Sequence, residues 1–203
     1  MNNLEELEVG GEPEIDQRST GVIIFPHLIR LTVWMAEWLN VFEAPSLKHL
    51  TTGVRFTNYY TTVVDFFRRS RCPLLRLEMR DCPIPTFMGI AQYAPTIVHF
   101  GMILMTDLVG IVRGLTPREE HNGDCALPCL QSLRIFTWDP LNEEEVKVIC
   151  SLVTSRGKGG EAKWGRALQS LCIEVFGKDV RETRSWQRIW EVCEDFKVEL
   201  VTV

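Results

Sequence analysis

The chain has 203 residues, 45% of them apolar and 24% charged, proportions that fit one soluble globular domain with a sizeable core. A formal net charge of -5 weighs against nucleic acid or an anionic membrane as partner, because both need a positive field. No apolar run approaches the roughly 18 residues of a membrane span, and seven scattered cysteines with no basic-then-apolar leader point to reduced thiols and an intracellular protein.

In chain order, the first apolar triple is Leu4, Leu7 and Val9, followed by a loop over 10–21 in which glycine, proline and acidic residues mix. The same spacing (apolar, two of any kind, apolar, one of any kind, apolar) returns at Leu28/Leu31/Val33 and at Leu47/Leu50/Thr52, where threonine is the imperfect member. Val63, Phe66 and Phe67 mark a helix, and Leu74/Leu77/Met79 is the next triple. Thr86 to Tyr93 is a shorter helix carried by Phe87 and Ile90, leading to Ile97/Phe100/Met102. Leu108, Ile111, Val112 and Leu115 give another helix, then a polar insertion over 117–126, then Leu130/Leu133/Ile135. Val146, Ile149, Cys150 and Val153 recur at helical spacing, with Asn142 and Glu145 placed as N-cap and N3 partners. A second polar insertion is expected over 155–166, ahead of Leu168/Leu171/Ile173. Trp186, Ile189, Trp190 and Cys193 predict a last helix, with Asp179 and Glu182 as its cap pair, and Phe196 to Val203 is a candidate edge strand.

The triples start 24, 19, 27, 23, 33 and 38 residues apart, the early values falling in or near the leucine-rich range. Pro26, Pro45, Pro95 and Pro128 stand two residues before a triple and Pro73 one before, where a strand does not yet need a ladder donor. Strand and helix in alternation require a parallel sheet with right-handed crossovers. A doubly wound sheet would bury both faces and show near-continuous apolar strands. Here Arg, His, Thr, Glu and Ser flank the buried positions, so one face is wet. The expected fold is therefore α/β: a right-handed solenoid of about six or seven irregular leucine-rich repeats, strands on the concave side and helices on the convex side, forming one domain over 1–203.

Leu74-Leu75-Arg76-Leu77-Glu78-Met79-Arg80-Asp81-Cys82 fits the leucine-rich consensus with cysteine at its last position. With Ala44-Pro45-Ser46-Leu47, Arg69-Ser70-Arg71-Cys72-Pro73-Leu74 and Leu127-Pro128-Cys129-Leu130-Gln131-Ser132-Leu133, the chain resembles the repeat region of fungal F-box leucine-rich-repeat proteins over about residues 22–176. The resemblance implies protein recognition, in a family whose F-box docks on a ubiquitin-ligase scaffold while the repeats select the substrate. No F-box-like segment precedes the repeat at Leu4, so a truncated relative, a fragment or a repeat-only protein is expected. Contact with the ligase adaptor is then expected only where an F-box stands outside this chain. A degenerate structural array with no dedicated ligand is the competing reading.

Residues alternating with the buried ones form three outward rows. These are Arg30, His49, Arg76, His99, Ser132 and Ser170; then Thr32, Thr51, Glu78, Gly101, Arg134 and Cys172; then Trp34, Gly53, Arg80, Ile103, Phe136 and Glu174. Six strands about 4.8 Å apart span roughly 24–29 Å. Arg30, Arg76, Arg80 and Arg134 make this strip more basic than the chain, and Trp34, Ile103 and Phe136 are large apolar residues at outward positions. With His49, Glu78 and His99 they are the candidate partner-binding residues, suited to an acidic or phosphorylated protein segment with apolar anchors. The alternative is that the third row packs under loops and the arginines are solvated.

No catalytic, cofactor or metal site is expected. His121, Cys125 and Cys129 lack a fourth ligand and a zinc-pair spacing. Arg156-Gly157-Lys158-Gly159-Gly160 follows a helix and lacks the phosphate-loop order. His49 and His99 have no adjacent nucleophile with an orienting carboxylate.

Overall fold

The computed structural model describes residues 3–11, 21–53, 59–80, 82–104, 108–117, 125–157, 166–176 and 183–201. The fold is α/β, built on an eight-stranded parallel sheet with five α-helices among the described residues. The sheet strands are β1 (Glu6–Val9), β3 (Arg30–Val33), β5 (His49–Thr52), β6 (Arg76–Arg80), β7 (His99–Leu104), β8 (Ser132–Thr137), β9 (Ser170–Val175) and β10 (Glu199–Val201). They lie side by side in chain order, and every pairing is parallel. The other two, β2 (Ile23–Ile24) and β4 (Phe42–Glu43), pair with each other as a separate two-stranded sheet.

The register follows the apolar triples. Leu31, Leu50, Leu77, Phe100, Leu133 and Leu171 stand opposite one another from strand to strand, and all are buried. Thr52 is buried as well, and its hydroxyl donates to the Gly53 carbonyl at 3.1 Å, which lets a polar residue take an apolar position. A one-residue slip would turn this whole row to water, so the alternation itself fixes the pairing. On the edges, Leu7 and Val9 are only half-buried, since β1 has one neighbour instead of two.

The helices are α1 (Tyr59–Ser70), α2 (Ile84–Tyr93), α3 (Leu108–Leu115), α4 (Glu143–Arg156) and α5 (Arg184–Asp195). Their apolar stripes join the inward strand residues in one hydrophobic cluster that includes Phe66, Phe87, Ile111, Ile149 and Ile189. Phe87 of α2 stacks on Phe100 of β7 with ring centroids 5.5 Å apart. The 19-residue interval before Leu47 is too short for a full helix and holds a 3-10 helix over Ala36–Asn40.

The Asn142 cap forms as its sequence spacing predicts. Its Oδ1 accepts from the Glu144 and Glu145 backbone amides, while the Glu145 carboxylate accepts from the Asn142 amide at 2.7 Å. The last helix is capped differently from expectation: Thr183 accepts from the Trp186 amide at 3.2 Å, and Asp179 and Glu182 lie outside the described residues. Trp190 is also half exposed, so the buried stripe of α5 consists of Trp186, Ile189 and Cys193. The loop over 10–21 and the insertion over 117–126 fall largely outside the described residues. The second insertion starts later than expected, because α4 continues through Ser155 and Arg156.

Two helix-terminal arginines bind backbone instead of carboxylates. Arg69, near the end of α1, donates to the Leu39, Asn40 and Phe42 carbonyls. Arg156 ends α4, is 4% exposed, and donates to the carbonyls of Leu115, Leu127, Pro128, Leu130 and Arg166. Its burial holds the guanidinium pKa below the ordinary arginine range. Five acceptors converge on it from both chain segments that flank the long intervals, so this one cation closes the two insertions at their base.

Candidate functional site

The sheet face opposite the helices carries the outward rows, and pairing sets them out as their alternation requires. Arg30, His49, Arg76, His99, Ser132 and Ser170 form the first row, flanked at the edges by Glu6 and Glu199. Thr32, Thr51, Glu78, Gly101, Arg134 and Cys172 form the second. Arg80, Ile103, Phe136 and Glu174 are paired in the third, and Trp34 and Gly53 directly follow the paired residues Val33 and Thr52.

The arginines are not a field of free positive charge. Arg30 pairs with Glu6 across the β1–β3 boundary at 3.2 Å. Arg76 binds Glu78 within its own strand at 2.6 Å, and Arg134 Nε donates to Glu174 of β9 at 2.7 Å. The expectation of a basic strip rested on the arginines alone; three of the four have a glutamate beside them. Arg80 is exposed and, among the described residues, has no carboxylate within ion-pair distance. Exposed pairs such as Arg30–Glu6 contribute about 0–1 kcal/mol of stability, and at the more buried Glu174 the main effect is likewise local neutrality.

Two groups on the face are shifted by their surroundings. Burial and then the charges of Arg30 and Arg76 lower the His49 pKa, so the imidazole stays neutral more readily than usual. Burial and then the Glu174 carboxylate raise the Cys172 thiol to about 11. In the first row the Ser170 hydroxyl donates to the Ser132 hydroxyl at 2.9 Å.

Over the second and third rows lies a trough of about 520 Å³. Its floor is low because Gly101 has no side chain between Glu78 and Arg134, and because Gly53 lies against the Trp34 backbone, where a Cβ would meet the Trp34 carbonyl oxygen at 2.5 Å. Trp34 stands at one end, 50% exposed, its indole N–H donating to Glu8 at 3.0 Å. Ile103 and Phe136 are half-buried in the floor, with Arg80 between Trp34 and Ile103 along the row.

The other end is a wall that the three rows do not contain. Because β8 and β9 are six residues long, the chain continues past Phe136 and Glu174 to Trp138 and Phe176. Trp138 and Phe176 are 46% and 58% exposed, with ring centroids 4.5 Å apart, and Phe136 lies 5.9 Å from Trp138. Continuing the alternation by two residues on these strands is the sequence signal that finds them. His49, His99, Arg30 and Arg76 lie in the first row and do not line the trough, whereas Trp34, Glu78, Arg80, Ile103, Arg134 and Phe136 do.

Among the described residues no three His, Cys, Asp or Glu side chains cluster as a metal ion would need, and His121 lies outside them. No helix among them is long and apolar enough to cross a membrane. No protein-family model, curated protein or solved structure matches the chain.

Proposed function

We propose that this chain is a right-handed leucine-rich-repeat solenoid whose open sheet face, lined by the strands, recognises a protein partner. The supporting observation is the neighbour order β1-β3-β5-β6-β7-β8-β9-β10, which never reverses. A doubly wound sheet reverses direction at a switch point and covers both faces with helices, whereas stacked repeats leave one face open along its length. Exposed aromatic rings at one end of a trough on that face are the kind of anchor that interfaces use. Seven unbridged cysteines accord with an intracellular setting.

In this reading the repeats act as a substrate-selecting element of the F-box receptor type. Engagement of a ligase adaptor would be the task of an F-box, not of the repeats. The test is affinity capture from cell extract with three baits: the native chain, Trp138→Ala with Phe176→Ala, and Trp190→Ala on the helix side. A partner retained by the first and third baits and lost from the second is the expected result. Equal recovery by all three contradicts recognition through this face.

A further inference from the structure

We infer that the trough accepts a peptide in the polyproline-II conformation, with one carboxylate side chain at its centre and a large apolar side chain three residues to either side. This rests on the reading of the open face as a recognition surface, and it specifies what that surface selects.

Charge supplies the first half of the inference. Of the cations along the trough, Arg134 is held by Glu174, and Arg76, just outside it, is held by Glu78. Arg80 is exposed at mid-floor with no acidic partner among the described residues. Among the described residues Arg80 is thus the trough cation without a carboxylate partner, and one guanidinium complements one negative charge. A phosphate, carrying nearly two charges and three acceptor oxygens, is best held by several cations. Here Glu78 and Glu174 would repel its second charge, so the match is to aspartate or glutamate.

Spacing supplies the second half. Arg80 is on β6 and Phe136 on β8, two strands away; Trp34 follows β3, two strands away on the other side. Two strand steps are about 10 Å, and a polyproline-II peptide crossing the strands advances about 9 Å in three residues, one full turn that returns its side chains to the same face. Three residues therefore separate the carboxylate from a side chain resting on the Phe136–Trp138–Phe176 wall. On the other side the same one-turn step reaches Trp34, whose indole N–H donates to Glu8 at 3.0 Å. Gly101 leaves room for the peptide backbone to pass between Glu78 and Arg134.

The test is selection from a displayed library of random twelve-residue peptides against the intact chain, with affinities then measured on synthetic peptides. The expected winners carry Asp or Glu with large apolar residues at these offsets, and Arg80→Glu weakens them about tenfold or more. Lysine in place of the peptide's acidic residue should restore binding to the Arg80→Glu chain; that reciprocal exchange cannot come from a folding defect. Winners that depend on Trp138 but lack an acidic residue at this offset, or synthetic peptides that bind more tightly with phosphoserine in its place, would overturn the inference while leaving the recognition face intact. No winners at all would overturn the inference and leave the recognition face to the capture test above, whereas winners indifferent to Trp34, Arg80 and Trp138 would count against both.

Discussion

The two halves of the sheet are built on the same strand phrase and differ in how far each strand runs and how its connection is closed. From β3 to β6 the strands are four to five residues long, the intervals are short, and the outward face ends in Trp34, Gly53 and Arg80. From β7 to β9 the strands are six residues long, the intervals reach 33 and 38 residues, and the outward face ends in an aromatic wall. The inward leucines keep the same register throughout, so the core does not distinguish the halves. The closures do: Arg69 ties the first half with three carbonyl contacts at a half-buried site, Arg156 the second with five at a buried one.

The sharpest break of that comparison is at the two arginines. Arg156→Leu removes a buried donor from five carbonyls, of which those of Leu127 and Pro128 keep a backbone amide, and should cost about 3–5 kcal/mol, whereas Arg69→Leu should cost about 1–2, because water can replace part of what it provides. Urea unfolding of both variants measures the ratio, and equal losses would show that the two closures are equivalent. Thiol chemistry comes next. With its pKa near 11, Cys172 should react with an alkylating reagent at pH 8 on the order of a hundredfold more slowly than an unperturbed exposed cysteine, and Glu174→Gln should narrow the gap. Peptide mapping by mass spectrometry resolves the individual cysteines.

A third comparison sets Gly53 against Gly101. A Cβ at Gly53 meets a backbone oxygen at 2.5 Å, so Gly53→Ala should cost about 1–3 kcal/mol. At Gly101 the nearest atom is the flexible Glu78 side chain at 3.2 Å, so Gly101→Ala should leave the melting temperature nearly unchanged while shallowing the trough. The smallest effect is at His49. Its folded pKa is below the ordinary 6.5, so the unfolded chain takes up the proton first. That contribution to stability is present above pH 6.5 and is lost as pH falls through 6.5 toward the folded value. His49→Gln should remove the corresponding part of the slope of stability against pH.

Much of this was legible in the residues because a strand repeats every two positions and a proline announces its entry. Those two signals place Leu31, Leu50, Leu77, Phe100 and Leu133 in one row, and the period alone adds Leu171, without any knowledge of helix packing. They also place Arg80, Ile103 and Phe136 side by side, since outward rows follow from inward ones. The ion pairs were only partly legible: Arg76 and Glu78 stand two apart on one outward face, but Arg134 and Glu174 are 40 positions apart, and pairing them needs the register of β8 against β9. Trp138 and Phe176 escaped the three rows because strand length depends on closure elsewhere. Arg156 escaped for a related reason, as its five acceptors converge only after both long connections fold back. The two-residue strands β2 and β4 are too short to show any period.

Site-directed photo-crosslinking probes the open face most directly. A photoreactive phenylalanine analogue is placed at Phe176 in one chain and at Trp190, on the helix side, in another, and both are irradiated in cell extract. Recognition through the strand-lined face predicts a discrete protein adduct from position 176 that excess native chain suppresses, and no such adduct from position 190. The same adduct from both positions, or none from position 176, would contradict it.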